Sequence, residues 1–151
     1  MAFIREQDRA TIAQMFEETL DGPVQVHYFT IPTSKLIVPG RTTCESCNDV
    51  QQLIEEVASI SDKVSVEVHN FESEREEAQR YGVTRVPAIV IKGKAKGAVR
   101  YFGAPAGSEF PNFIQDIQHA SRGETALSAE TREALSAITG PIHLQVFVTP
   151  T

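Results

Sequence analysis

The sequence predicts an α/β fold built on one central mixed sheet with helices on both faces. Three observations carry this. Helical and strand periodicities alternate along the chain, the last two strands are close enough to form a hairpin, and the strand segments are apolar runs more than clean alternations. Continuous apolar strands belong to a sheet covered on both sides.

Each element follows from its own residues. Residues 8–20 place Ile12, Met15, Phe16 and Leu20 on one helical face, and Asp21-Gly22-Pro23 stops that helix. Residues 24–30, Val-Gln-Val-His-Tyr-Phe-Thr, read as a strand. Residues 31–40 read as loop, with a stub of strand at Leu36-Ile37-Val38 between two prolines. A helix is predicted from Cys44, with Cys47, Val50, Ile54, Val57 and Ala58 along one stripe and Leu53 beside it. Residues 63–69 alternate Val64, Val66 and Val68 against Ser65, Glu67 and His69, a strand pattern. Ser73 and Glu76 have the spacing of a capping box, opening a helix that ends near Tyr81-Gly82. Residues 87–91 form a buried strand, 93–97 a turn, and 98–102 the antiparallel partner. Phe110, Phe113, Ile114 and Ile117 mark a last amphipathic helix, with Ser108 as N-cap and Pro111 in the first turn. A helical crossover makes the first two strands parallel, and a short turn makes the last two a hairpin.

Composition narrows the class. A 151-residue chain with ordinary apolar and charged content can bury a core without a disulfide staple. Its net charge of −6, from 14 basic and 20 acidic residues, argues against nucleic acid as partner, because phosphate binding draws on Lys and Arg. No apolar run approaches the roughly 18 residues of a membrane span, and the N-terminal residues lack the apolar core of a signal peptide. The expected compartment is the cytoplasm, where two cysteines are catalytic or metal-binding more often than structural.

Those two cysteines, Cys44 and Cys47, are three residues apart. At a helix N-terminus, Cys44 lies near free N–H groups and the positive end of the helix dipole, both of which favour the thiolate. Such sites lower a thiol pKa from about 8.5 to as little as 3.5–7.5. Cys47, on the stripe that continues into Val50 and Ile54, is expected to be the more buried. That asymmetry suits an attacking Cys44 and a resolving Cys47. Zinc is the rival reading. A structural zinc site takes four ligands; beyond one CxxC the chain offers His27, His69, His119 and His143, without paired ligand spacing. These histidines read as surface or strand-end residues, with His27 a minor candidate for influencing the cysteines. No metal site is expected within one chain; a four-cysteine zinc site would require two chains, and zinc-bridged dimerisation stays open as the structural rival.

The tail repeats an earlier segment. Residues 22–33, Gly-Pro-Val-Gln-Val-His-Tyr-Phe-Thr-Ile-Pro-Thr, align without gaps with residues 140–151, Gly-Pro-Ile-His-Leu-Gln-Val-Phe-Val-Thr-Pro-Thr. Each follows a helix-like stretch, residues 8–20 and 128–138, and residues 121–125 between the copies have a linker composition. The pattern predicts a duplicated unit.

Residues 81–91, Tyr-Gly-Val-Thr-Arg-Val-Pro-Ala-Ile-Val-Ile, resemble the segment around the cis-proline of thioredoxin-fold proteins. Residues 100–110, Arg-Tyr-Phe-Gly-Ala-Pro-Ala-Gly-Ser-Glu-Phe, and the tail Val-Phe-Val-Thr-Pro-Thr (146–151) resemble segments of the tandem protein disulfide oxidoreductases, a glutaredoxin-like family with two thioredoxin-fold units. The resemblance implies a thioredoxin-like fold, with residues 1–121 as a CxxC domain, 122–127 as linker and 128–151 as the helix and first strand of a second unit. It implies thiol–disulfide exchange with protein disulfide or dithiol substrates. Cys44 and Cys47 match the redox pair, Pro87 the cis-proline, and Val86 the residue whose backbone receives an extended substrate. No bound cofactor is implied; a flavin-dependent reductase or glutathione would supply electrons. Two departures are visible: residues 31–43 are longer than the usual loop before the CxxC, and a second CxxC is not among the 151 residues. The strand predicted at Ile142–Val148 therefore has no sheet of its own, and it is expected to dock on a neighbouring chain, swap between chains in self-association, or be poorly ordered.

Other readings stay open on sequence. One is an electron-relay module of a peroxide-reducing system, as in alkyl hydroperoxide reductase flavoproteins. Another is a thioredoxin-like binding module whose CxxC takes no part in catalysis.

Overall fold

The computed structural model describes residues 2–32 and 43–147. The segment around Leu36-Ile37-Val38 and residues 148–151 lie outside these. The elements run α1 (Glu6–Thr19), β1 (Val24–Thr30), α2 (Cys47–Ala58), β2 (Val64–Asn70), α3 (Arg75–Arg80), β3 (Ala88–Lys92), β4 (Val99–Phe102), α4 (Phe110–Arg122) and α5 (Ala129–Ser136). The sheet order is β2-β1-β3-β4. β1 and β2 are parallel from Val24↔Val64 to Thr30↔Asn70, β3 is antiparallel to β1, and β4 is antiparallel to β3. This is the mixed sheet expected from one helical crossover and one hairpin. No helix among the described residues is long and apolar enough to cross a membrane.

The two central strands are buried on both faces. Val24, Val26 and Tyr28 of β1 join Ile89 and Ile91 of β3 under Phe16 of α1, Ile54 of α2, and Phe113 and Ile117 of α4. On the opposite face, Phe29, Ala88 and Val90 pack with Ala78, Tyr81 and Val83 at and after α3. Apolar side chains therefore leave β1 and β3 in both directions, which is why these segments read as runs. Glycine permits one close approach: a Cβ at Gly93 would collide with the carbonyl oxygen of Ala120 in α4.

Local chemistry differs from expectation at several ends. Helix α2 begins at Cys47, not Cys44, and its opening bond runs from Val50 N–H to the Ser46 carbonyl at 3.0 Å. The Ser73–Glu76 capping box does not form. Asn70 starts the turn instead, its Oδ1 accepting from Glu72 N–H at 2.9 Å and Ser73 N–H at 3.3 Å, while Glu74 accepts from Asn70 N–H at 2.7 Å. An Asx turn of this kind satisfies the same free donors locally. Ser108 lies inside a single 3₁₀ turn (Gly107–Glu109) that leads into α4, so it is not the cap, whereas Pro111 sits in the first turn as expected. Gly123, at φ 70°, closes α4 by donating to His119 O at 2.9 Å. On β2, Val68 is 43 % exposed and His69 is buried, the reverse of the expected alternation.

Helix α5 is capped by Ser128, whose hydroxyl accepts from Thr131 N–H at 3.1 Å, and buries no residue. Beyond it, residues 141–147 form no strand. A strand needs a ladder partner, and among the described residues the four strands of the sheet pair with one another. Ile142, Leu144, Val146 and Phe147 are exposed there.

Ser121, read from sequence as linker, is buried in the last turn of α4. Its hydroxyl accepts from Asp21 N–H at 3.1 Å and Gly22 N–H at 3.0 Å and donates to Gly22 O at 2.7 Å, tying α4 to the entry of β1. Ser121→Ala leaves these backbone groups unpaired, at about 1–3 kcal/mol. Urea unfolding is expected to show that loss, with Glu124→Gln on the exposed side unchanged.

Candidate active site

The cysteines meet the sheet at the C-terminal end of β1. Cys44 and Cys47 are joined in a disulfide with Cα atoms 5.4 Å apart. Cys47, the first residue of α2, is fully buried, whereas Cys44 is half-buried and flanked by exposed Thr43, Glu45 and Ser46. The burial asymmetry expected from the helical stripe is present. Cys44 lies beyond the N-terminal end of α2 rather than inside it, on the side where free N–H groups and the positive dipole end are found.

One bond fixes this arrangement. The hydroxyl of Tyr28, fully buried on β1, donates to the Cys47 carbonyl at 2.6 Å. Burial pushes the Tyr28 phenol up to about 12, so it remains a protonated donor through the physiological range. Sequence reading missed Tyr28. An aromatic in an apolar strand gives no sign of its hydroxyl's partner, and the alternation that sets its face is hidden in a strand buried on both sides.

The Val86–Pro87 bond is cis, as the resemblance implied. Phe29 is paired with Ala88, so Pro87 falls beside Thr30. That is the sheet end where Tyr28 reaches Cys47, and the fold thereby brings both predicted segments together. Pro87 is buried, Val86 is half-buried, and the Pro87 carbonyl accepts from Gly103 N–H at 3.0 Å. The Arg85 guanidinium lies 4.9 Å from the centroid of the Phe102 ring.

His27 does not join this site. Adjacent strand residues face opposite ways, and His27 leaves β1 on the face of Phe29, away from Cys47. Nor are His27 and His69 surface residues; they are 4 % and 3 % exposed. His27 Nδ1 and His69 Nε2 are 3.1 Å apart, His69 Nδ1 is 2.8 Å from the Glu74 carboxylate, and His27 Nε2 is 3.0 Å from the Tyr81 hydroxyl. Burial lowers the pKa of His27, and the His69 and Asn70 hydrogen bonds lower that of Glu74. Sequence could not show this cluster, because its members meet across a parallel ladder.

Residues 35–115 match the family model of the thioredoxin domain, more than half of the chain, and the chain belongs to that family. A probable thioredoxin of Methanothermobacter thermautotrophicus is 33 % identical over 94 residues, covering 62 % of this chain and 94 % of that protein. A thioredoxin of Methanocaldococcus jannaschii is 34 % identical over 83 residues, covering 54 % of this chain and 81 % of that one. Among solved structures, a protein disulfide oxidoreductase from Aeropyrum pernix superposes with a TM-score of 0.74 at 26 % identity, over 93 % of this chain and 57 % of that chain. The alkylhydroperoxide reductase protein AhpF from Enterococcus faecalis shares the fold at a TM-score of 0.74 and 19 % identity, over 90 % and 61 % of the two chains. The chain thus spans under two thirds of either larger protein. Its fold, family and disulfide-forming pair make it a thioredoxin-like disulfide oxidoreductase domain.

The difference in burial has a direct readout. After reduction, Cys44 is expected to react with iodoacetamide at least about tenfold faster than Cys47, since attack requires an accessible thiolate. Timed alkylation with peptide mapping measures both rates; equal rates would contradict the asymmetry.

Proposed function

We propose that the domain exchanges disulfides with protein substrates, with Cys44 as the attacking sulfur and Cys47 as the resolving one. The observation that carries this is the pair itself: two bonded cysteines, one half-buried and one fully buried at the start of a helix. In the reducing direction the Cys44 thiolate attacks one substrate sulfur, forming a mixed disulfide and expelling the other substrate sulfur as thiolate. Cys47, giving up its proton, then attacks the Cys44 sulfur. This closes Cys44–Cys47 and releases the second substrate sulfur. Two electrons pass from the dithiol to the substrate, whose sulfurs end protonated; oxidation runs the same steps backwards.

Val86 and Pro87 form the edge on which an extended substrate segment docks, supported by their place beside Thr30 at the sheet end that holds Cys47. Protein disulfides and dithiols are the substrate class, and a flavin-dependent reductase or glutathione returns the domain to its reduced form without a resident cofactor. The working compartment is the cytoplasm. Residues 1–121 act as the CxxC unit and 122–127 as a linker. Residues 128–151 begin a second thioredoxin-like unit, supported by the Gly140–Thr151 repeat and by the 93 % coverage against the archaeal oxidoreductase. The exposed Ile142, Leu144, Val146 and Phe147 make this segment the means of self-association.

Insulin reduction by dithiothreitol tests the assignment. Wild-type protein accelerates precipitation of the insulin B chain, and Cys44→Ser abolishes the acceleration. No difference between the two would remove the enzymatic reading. Rapid transfer to a peroxiredoxin with negligible insulin reduction would move the assignment to a peroxide-reducing relay.

A further inference from the structure

The face of the sheet turned away from the disulfide carries a buried polar cluster that thiol chemistry does not use. His27 on β1 and Glu67 on β2 are register partners. His69 lies two residues further along β2, so all three side chains leave the same face. Glu67 Oε2 is 3.4 Å from His27 Nδ1, and Glu67 Oε1 is 3.9 Å from His69 Nε2. Together with the 3.1 Å between the two ring nitrogens, three candidate ligand atoms from neighbouring strands converge within 4.8 Å.

Hydrogen bonding orders the cluster but does not account for Glu67. The Glu74 carboxylate only accepts, so His69 donates to it from Nδ1, and the neutral ring has its lone pair on Nε2. His27 Nδ1–H donates into that lone pair, and His27 Nε2 accepts from the Tyr81 hydroxyl. In this tautomer pair the chain from Tyr81 to Glu74 is complete. The Glu67 carboxylate is an additional acceptor, aimed at a ring N–H that is already committed.

Two imidazoles and a carboxylate are a donor set for zinc-class divalent ions. Ligands about 2.0–2.1 Å from a tetrahedral centre stand about 3.3 Å from one another; the two ring nitrogens are 3.1 Å apart, and one oxygen of Glu67 stands 3.4 Å from His27 Nδ1 and the other 3.9 Å from His69 Nε2. The outer partners fit as well. A metal-bound histidine donates its other ring N–H to a carboxylate or other oxygen; His69 Nδ1 faces Glu74, and His27 Nε2 faces the Tyr81 hydroxyl.

We propose that His27 Nδ1, His69 Nε2 and the Glu67 carboxylate form a binding site for one zinc-class divalent ion, with its fourth position open to solvent beside Glu67. On binding, His27 moves from the Nδ1–H to the Nε2–H tautomer, the one proton passing by way of solvent, and the Tyr81 hydroxyl turns from donating to Nε2 to accepting from it. Glu67 and Glu74 balance the ion's two charges. Glu67, with its side chain 66 % exposed, provides the entry. Lys92 and Arg80 lie over the Tyr81 ring, 5.4 Å and 5.0 Å from its centroid, and Arg80 is paired with Glu77. The site is independent of the redox assignment.

The test uses the oxidised protein, whose cysteines are held in the disulfide and offer no thiolate. Zn²⁺ is titrated in competition with a chromophoric chelator, and Co²⁺ in parallel for its visible spectrum. One ion per chain is expected, with the intense d–d bands of a tetrahedral site. Glu74→Gln is expected to weaken binding by about 10–100-fold and Glu67→Gln by at least about tenfold; His143→Ala, at an exposed position, leaves it unchanged. Glu67 is largely exposed, so its variant is expected to keep the fold, to be checked by circular dichroism. Long-range imidazole ¹⁵N spectra should shift His27 Nδ1 and His69 Nε2 on adding Zn²⁺. Failure to compete with the chelator, equal affinity in Glu67→Gln, or shifts confined to His119 or His143 would each overturn the proposal.

Discussion

The bond from the Tyr28 hydroxyl to the Cys47 carbonyl holds the start of α2 against the central strand. Everything at the site depends on that attachment. The carbonyl of the first helical residue is fixed over the fully buried Tyr28, and Cys47 is enclosed while Cys44 is only half-buried. The antiparallel pairing of β1 with β3 then sets Pro87 beside the same end. A hydrogen bond inside a buried, apolar setting is electrostatically stronger than one in water, and the raised phenol pKa keeps Tyr28 a donor across the range in which thiols ionise.

The same strand divides two chemistries. Tyr28 faces α2 and the sulfurs, while His27 faces Tyr81 and His69. Because β1 is central, both side chains are buried and both need partners; among the described residues no buried side-chain polar atom lacks one. The disulfide face offers sulfur at its edge and the opposite face offers nitrogen and carboxylate. The position of the disulfide follows from a helix start, whereas the histidine cluster follows from parallel register. They share a scaffold without sharing ligands.

Much of the fold was legible because apolar periodicity survives burial. The stripe Val50, Ile54, Val57 on α2 and the set Phe113, Ile114, Ile117 on α4 are core in the structure. The CxxC and the Val86–Pro87 segment were legible as a pair only through resemblance. Nothing in their spacing, 40 residues apart in sequence, places them at one sheet end. What failed were features set by tertiary partners. His69 fell on the polar side of an alternation, yet parallel pairing places it against His27 and Phe29. Ser73 and Glu76 had cap spacing, but Asn70 already supplied the acceptor. Ser121 had linker composition, but its hydroxyl closes three backbone bonds to Asp21 and Gly22. The tail copies the sequence of β1 without its surroundings, and residues 141–147 form no strand.

The central claim is that position relative to α2 gives the two sulfurs different roles. Trapping the intermediate tests this most directly. In a Cys47→Ser variant, Cys44 should form a mixed disulfide with a disulfide-containing peptide that persists for want of a resolving thiol. Intact mass spectrometry should find the adduct in nearly every chain, and Cys44→Ser should form almost none under the same conditions. Equal trapping by the two variants, or an adduct confined to Cys47, would contradict the account.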